Sequence, residues 1–182
     1  MPINSITREA TGYLEDRKSR FFAYVVPFAR FPERLTDLRS EHRKARHFVT
    51  AYRRILSDGR IVESGKDDGE PAGTSGIPTL KVLQGANLVD TAVIVVRYFG
   101  GIKLGGGGLA RAYSGAAADA IAHAQLVPFE RIARRVLIAG FADAAGLERR
   151  IADLRLSVVD RVFHESGVTI AVEGPEAIVA RL

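Results

Sequence analysis

The order of apolar and polar residues along the chain predicts an α+β protein in two segments. In the first segment, alternating or β-branched apolar runs indicate strands. Runs of helix-forming residues, two of them with a proline in the first turn, indicate helices. Strands are predicted at residues 4–15, 20–26, 47–56, 60–63 and 91–98. Helices are predicted at residues 31–45, 77–84 and 109–125.

The pattern restarts after residues 126–128, which predicts a domain boundary there. Domains are therefore expected at residues 1–127 and 128–182. Strands are predicted at residues 131–140, 156–163 and 168–173, and helices at residues 142–154 and 175–182. This β-α-β-β-α order predicts a small ferredoxin-like α/β sandwich. It lacks a clear final strand, so the domain is expected to be either clipped or minimal.

A cluster of glycines separates the strand at residues 91–98 from the helix predicted at residue 109. Six glycines fall within the sequence GGIKLGGGG at residues 100–108. Backbone N–H groups of such a loop, together with the start of a helix, favour an anion. Arg97, Lys103 and Arg111 are close in sequence. The alternative is a loop of small residues that lets helix and sheet pack closely.

Two known phosphate-binding patterns do not fit this cluster. No GK[ST] follows the glycines, so the sequence is not a Walker A loop. A dinucleotide fingerprint fits poorly, because no acidic residue ends a parallel strand about 20 residues further on. The sequence therefore favours a surface that contacts a ligand or a partner, without defining the ligand.

A second loop, GKDDGEPAGTSG at residues 65–76, combines glycine with three acidic residues. Asp67, Asp68 and Glu70 could hold Mg²⁺, which needs only one or two carboxylates from a protein. They could instead accept backbone N–H groups or pair with Arg97. The spacing favours this second, structural interpretation, since short acidic and glycine-rich runs are ordinary turn chemistry.

Composition and charge exclude some classes of function. The chain has no cysteine, which excludes disulfides, thiolate catalysis and cysteine-ligated metals. No apolar run approaches 18 residues and no secretion signal is evident, so a cytoplasmic protein without a membrane span is expected. The net charge is +5, and residues 1–47 hold ten Lys and Arg against six Asp and Glu. This favours contact with a polyanion, or else a solvated helix face with Arg34–Asp37 and Glu41–Lys44 pairs.

No catalytic set emerges from the histidines and serines. His42, His47, His123 and His164 are scattered, without the spacing of metal ligands. Neither Ser75 nor Ser114 lies in a GxSxG context. No catalytic residue, cofactor or metal is predicted, and an enzyme is not the leading hypothesis.

Four stretches carry a resemblance to a known family. They are KSRF at residues 18–21, ARH at 45–47, DDGEPAGT at 67–74 and VVRYFGG at 95–101. The last is followed by LG at 104–105, GGL at 107–109 and AY at 112–113. In these motifs, their order and their spacing, the chain resembles the YigZ/IMPACT family. The resemblance covers about residues 15–125. The segment from residue 129 onward resembles the small C-terminal domain of bacterial members.

The resemblance implies a fold and a class of function. It implies that the N-terminal domain has the two-layer β/α fold of the second domain of a small-subunit ribosomal protein. The C-terminal domain would resemble a domain of elongation factor G. Eukaryotic relatives regulate translation through a kinase pathway, but that role depends partly on an extra domain and is not transferred. What transfers is an expected contact with RNA, the ribosome or translation factors.

The leading hypothesis is a binding protein that acts on RNA or on the translation machinery. The alternative is an enzyme that binds a phosphorylated small molecule or nucleotide with Mg²⁺, by analogy with small-molecule kinases of the same fold. The anion- or partner-binding surface is expected to comprise Arg46, His47, Asp67, Asp68, Glu70, Thr74, Arg97, Tyr98, Gly100, Gly101, Lys103, Gly105, Gly107, Gly108 and Arg111.

Overall fold

A computed structural model describes residues 2–182 as two compact units. The first ends at Phe129 and the second is Glu130–Leu182, so the division lies two residues beyond the predicted boundary. Both units are α+β structures, in which an antiparallel sheet carries helices. No helix within residues 2–182 has the length and apolar character needed to cross a membrane.

Between residues 2 and 129, the first unit has seven strands and three α-helices. The strands are β1 (Asn4–Ile6), β2 (Ala10–Asp16), β3 (Ser19–Pro27), β4 (His47–Ile55), β5 (Ile61–Lys66), β6 (Thr91–Tyr98) and β7 (Leu126–Pro128). The helices are α1 (Phe31–Glu41), α2 (Gly76–Gly85) and α3 (Gly105–Ala122), and a short 3₁₀ helix, Phe28–Arg30, precedes α1. The single strand predicted at residues 4–15 is two strands, because β1 leaves the main sheet and pairs with β7.

Five strands form one antiparallel sheet in the order β2-β3-β6-β4-β5. The β-branched strand β6 lies at its centre, and seven of its eight residues are buried. Its register pairs Arg97 with Phe21 of β3 on one side and with His47 of β4 on the other. The end of β6 therefore brings residues from three distant parts of the sequence together.

Successive residues of β6 pack against helices on opposite faces of the sheet, as the pleat requires. Val93 and Val95 belong to the core beneath α2 and α3, whereas Ile94 and Val96 pack with Leu38 of α1. The resemblance implies two layers, a sheet and the helices on one of its faces. The sheet with α2 and α3 accounts for those two layers. Helix α1 adds a partial third layer because its Leu38 is fully buried against the other face.

Helix α1 ends at Glu41, four residues before its predicted end, and His42 follows it into an aromatic cluster. The ring nitrogens of His42 lie 3.0 Å and 2.8 Å from the hydroxyl groups of Tyr24 and Tyr98. Burial lowers the pKa of His42, and the nearby guanidinium of Arg34 adds to this, while Glu41 opposes it. The basic run that starts at α1 is thus anchored by a partly buried histidine.

The ion pairs of α1 differ from those expected from sequence spacing. Arg34 pairs with Glu9 and Glu41, at 2.8 Å and 2.7 Å, rather than with Asp37. Glu41 is therefore engaged by a residue seven positions earlier and not by Lys44. Lys44 stays exposed and faces the groove described below.

The second unit has the predicted β-α-β-β-α order. Its elements are β8 (Ile132–Gly140), α4 (Phe141–Asp153), β9 (Ser157–His164), β10 (Gly167–Pro175) and α5 (Glu176–Val179). The strands form an antiparallel sheet in the order β8-β10-β9. Ile170 and Val172 of β10 form the core with Ile151 of α4 and Val179 of α5.

Helix α3 lies so close to β2 that only glycine fits at position 12. A Cβ atom on Gly12 would lie 2.2 Å from the backbone nitrogen of Ala120. We expect Gly12→Ala to lower the free energy of unfolding by about 1–3 kcal/mol, the usual range for overpacking. Gly85→Ala is the control, since a Cβ there meets nothing within 4 Å. Urea denaturation measures both, and equal stabilities would contradict the close packing.

The lowered pKa of His42 predicts a pH-dependent stability. The unfolded chain binds the proton of His42 more tightly than the folded protein does. The contribution of the neutral His42 to stability is therefore complete above pH 6.5 and is lost as the pH falls below that value. The wild-type protein should therefore lose more stability between pH 7.5 and pH 5 than a His42→Gln variant. Urea denaturation at the two pH values measures this difference. Parallel losses in both proteins would show that His42 does not titrate on unfolding.

Candidate anion-binding site

The acidic loop after β5 is held in place by Asp67, whose carboxylate caps helix α2. Its oxygens accept the backbone N–H groups of Gly73, Ser75 and Gly76 at 2.8–3.1 Å, and the Ser75 hydroxyl also donates to it. Burial alone would raise the pKa of Asp67, but these hydrogen bonds outweigh it and hold the pKa below its ordinary value. Asp67 therefore has the structural role that the sequence favoured.

Asp68 connects the same loop to strand β4. One carboxylate oxygen accepts the N–H of Phe48 at 2.7 Å, and the other lies 3.3 Å from the guanidinium of Arg39. The carbonyl oxygen of Asp68 accepts from Nδ1 of His47 at 2.9 Å. Because Nδ1 donates, a neutral His47 carries its lone pair on Nε2.

Glu70 and Arg97 form a buried ion pair at the end of β6. Nη1 of Arg97 donates to Oε1 of Glu70 at 2.6 Å, and the hydroxyl of Tyr113 donates to the same oxygen at 2.6 Å. The side chains of Glu70 and Arg97 are only 4% and 6% exposed. Burial, and then the hydrogen bond to Glu70, raise the pKa of Tyr113. This cluster joins the acidic loop, β6 and α3.

The guanidinium of Arg97 is not fully satisfied by the protein. Its Cζ lies 5.5 Å from the ring centres of Phe21 and Phe99. Nη2 lies 3.4 Å from the hydroxyl of Ser19, and Nε is buried with no partner among the described residues. Buried polar atoms in native proteins almost always have a hydrogen-bond partner. The unpartnered Nε of Arg97 is therefore an exception.

Glycine is required where the glycine-rich segment leaves β6. A Cβ on Gly100 would lie 2.1 Å from the carbonyl carbon of Lys18, and the Gly100 N–H donates to the Ser19 hydroxyl at 3.1 Å. The β2–β3 turn and the β6 end therefore touch through their backbones. The packing role that the sequence left open applies to Gly100.

The four glycines at residues 105–108 are the first turn of α3 rather than a loop before it. The predicted start at residue 109 was therefore wrong by one turn. The prediction failed because glycine is about 1 kcal/mol less favourable than alanine in a helix, whereas here the buried face from Leu109 to Ala120 stabilises the whole helix. No side chain caps this end, and no described residue outside the helix accepts from its first N–H groups.

A cavity of about 400 Å³ opens beside this helix start. Its floor is made of the nearly buried Glu70, Arg97, Leu104 and Leu109. Its walls are formed by Arg46, His47, Pro71, Phe99, Lys103, Gly105 and Gly106. Three cations and one carboxylate line it, which leaves two positive charges. A concave, largely apolar pocket with convergent polar groups is a typical ligand site.

A second cavity, of about 480 Å³, shares Arg46, Arg97 and Phe99 with the first. It is lined in addition by Lys18, Arg20, Lys44 and Tyr98. We call the two cavities together the basic groove. Phe99 lies between them with 56% of its surface exposed. Exposed aromatic side chains among cations are typical of surfaces that bind single-stranded nucleic acid.

Residues 17–121 match the Impact N-terminal domain. The chain belongs to this family. It is 37% identical over 123 residues to the IMPACT family member YvyE of Bacillus subtilis, covering 66% of this chain and 55% of that protein. It is 39% identical over 110 residues to the IMPACT family member YigZ of Escherichia coli, covering 59% of this chain and 54% of that protein. The chain thus spans about half the length of the curated relatives that it matches.

Solved structures extend the similarity to the whole chain. A crystal structure of a hypothetical protein aligns with all of this chain and 89% of its own, with a TM-score of 0.74 and 28% identity. The translational regulator Yih1 aligns over 63% of this chain with a TM-score of 0.40, a value too low to support an argument. The resemblance to the YigZ/IMPACT family drawn from the four motifs is confirmed.

The structure brings together part of the surface expected from the family motifs. Six of its residues line the first cavity: Arg46, His47, Glu70, Arg97, Lys103 and Gly105. Tyr98 lines only the second, and Gly107, Gly108 and Arg111 lie in the first two turns of α3. Thr74 donates to the carbonyl of Pro71 next to Gly106. Gly101 has a φ of +89°, which glycine adopts most easily.

Several residues of the site were not predicted from the sequence. Ser19 and Tyr113 complete the buried cluster around Arg97, and Phe99 divides the groove. Phe99 and Tyr113 lie within the family motifs, so the motifs could have indicated both residues. Lys18, Arg20 and Lys44 could have been found from the basic excess before residue 47.

Removing one partner of the buried ion pair should be costly. Arg97→Met leaves the Glu70 carboxylate buried without its cation, and we expect a loss of about 3–5 kcal/mol in the free energy of unfolding. The double variant Arg97→Met/Glu70→Leu should be more stable than the sum of the two single losses predicts. Denaturant unfolding of all four proteins gives the coupling. Additive losses would mean that the two side chains do not interact.

Proposed function

We propose that the first unit binds RNA through the basic groove, as a non-catalytic contact with the translation machinery. The observation that carries the proposal is the gathering of Lys18, Lys44, Arg46 and Lys103 around the exposed Phe99. Lysine and arginine neutralise phosphates, and an aromatic face stacks on a base.

The charge balance of the groove supports this proposal. Glu70, its one lining carboxylate among the described residues, is already neutralised by Arg97. The other cations of the groove therefore face solvent without a competing acidic side chain. Arg20 also lies over the rings of Tyr98 and Phe22, at 5.0 Å and 5.9 Å, which fixes one cation beside the aromatic surface.

The resemblance to the YigZ/IMPACT family implies a contact with the translation machinery, and the match to the Impact N-terminal domain supports that family. The enzyme alternative with Mg²⁺ has less support. Asp67 and Asp68 use their oxygens on backbone N–H groups and on Arg39, and Glu70 on Arg97 and Tyr113. Among residues 2–182, no group of three or more acidic or histidine side chains converges, so Mg²⁺ would have to share carboxylates that already have partners.

The proposal predicts binding of single-stranded RNA that weakens steeply with salt. For single strands, each phosphate contact contributes about 0.7 to the slope of log K against log salt. Lys18→Gln/Lys44→Gln should therefore lower the magnitude of this slope by about 1.4. Fluorescence anisotropy with an unphosphorylated RNA oligomer, measured from 50 to 300 mM salt, gives both slopes.

The matched control removes two charges elsewhere. Lys81 on α2 and Arg149 on α4 are exposed and line none of the described cavities. Lys81→Gln/Arg149→Gln has the same net charge as Lys18→Gln/Lys44→Gln. We expect it to keep the wild-type slope. If both double variants change the slope equally, binding follows net charge and not the groove. An absence of binding at low salt would refute the proposal.

A further inference from the structure

We propose that the first cavity of the basic groove is a subsite for one nucleotide with a terminal phosphomonoester. The phosphate would lie at the start of α3 between Arg46 and Lys103, and the base would stack on Phe99. If the ligand is the end of an RNA strand, this inference rests on the proposed function. A free mononucleotide would supply the same chemistry.

The start of α3 supplies donors for the phosphate. The N–H groups of Gly105, Gly106 and Gly107 have no intrahelical partner, since they precede the first hydrogen-bonded turn. No described residue outside the helix accepts from them. Gly105 and Gly106 line the cavity, and a helix of 18 residues places its positive dipole end there.

Arg97 gives an independent reason to expect a ligand. It lines the cavity, it is 5% exposed, and its Nε has no partner among the described residues. Among residues 2–182, only Glu70 and, at 3.4 Å, Ser19 accept hydrogen bonds from its five N–H groups. Arg97 therefore adds a cation whose donors are not all used to the lining of the cavity in which an anionic ligand would sit.

Charge and shape favour a phosphate end over a phosphate within a chain. A phosphomonoester carries about 1.5 to 2 negative charges at pH 7, which matches the two positive charges left after Glu70 is counted. A diester within a strand carries one. The cavity of about 400 Å³ has room for the end of a strand above its nearly buried floor.

His47 adds a contact for the sugar. Its Nδ1 is used by the carbonyl of Asp68, so a neutral ring presents Nε2, which has no partner among the described residues, as an acceptor. The ring lines the same cavity as Gly105 and Phe99. A ribose hydroxyl lies between the phosphate and the base of a nucleotide, and it is the donor that this acceptor fits.

The test compares phosphorylated ligands with their unphosphorylated counterparts. Isothermal titration calorimetry with the full chain at fixed salt would use AMP against adenosine. It would also use one short RNA carrying a 5′-phosphate, a 3′-phosphate or neither. We expect at least tenfold tighter binding of AMP than of adenosine, or of one phosphorylated RNA than of the unphosphorylated one. A gain with AMP alone identifies a free nucleotide as the source, and a gain with RNA identifies a strand end.

A matched pair of variants locates the phosphate. Gly106→Pro removes one N–H from the first turn, where proline is tolerated. Gly106→Ala keeps the N–H, and its Cβ meets only Thr74 at an ordinary 3.5 Å. The gain from phosphate should fall at least threefold more in the proline variant. Phe99→Ala should weaken AMP and leave inorganic phosphate unchanged. Circular dichroism checks that each variant is folded.

Two results would overturn this inference. One is equal binding of every phosphorylated ligand and its unphosphorylated counterpart. The other is a phosphate gain that is the same in Gly106→Pro and Gly106→Ala, which would place the phosphate away from α3. Salt-dependent binding of the unphosphorylated RNA would survive either result. The failure of the subsite is therefore distinguishable from a failure of the proposed RNA-binding function.

Discussion

The ion pair between Glu70 and Arg97 is the contact on which the arrangement of the site depends. An arginine stays charged in a protein, and a buried charge is strongly unfavourable unless it is paired. The Glu70 carboxylate meets that requirement and also accepts the hydroxyl of Tyr113. One carboxylate thereby fixes the acidic loop against β6 and α3. Asp67 and Asp68, in the same loop, fix it against α2 and β4.

This use of the acidic residues determines the character of the surface above them. Because the carboxylates face inward, the cations of the groove and the free N–H groups of α3 face outward. The glycines at residues 105–107 present backbone donors without side chains in front of them. A helix that begins with four glycines is intrinsically weak. It is maintained here by the buried face that begins at Gly108 and Leu109 and continues to Ala120.

The sequence predicted the central strand, the two units and most helices, because these depend on local apolar patterns. It offered a pairing of Arg97 with a carboxylate of the acidic loop as one alternative, without indicating that Glu70 is the partner. It missed the start of α3, where tertiary packing overrides the low helix propensity of glycine. It also missed the partial third layer, because the burial of Leu38 depends on which face of the sheet α1 covers. The roles of Ser19 and Phe99 in the site were not predicted, because no local pattern shows that the β2–β3 turn meets the end of β6.

The lining of the cavity bears on the choice between binding and catalysis. Among the described residues, its walls and floor contain no Ser, Thr or Cys, so no hydroxyl or thiol nucleophile lines it. His47 presents an acceptor, but a general base contributes only when a group to be deprotonated is held within hydrogen-bond distance. The carboxylate of Glu70 accepts hydrogen bonds from Arg97 and Tyr113. Donors and cations stabilise a bound anion, which is what the proposed phosphate subsite requires.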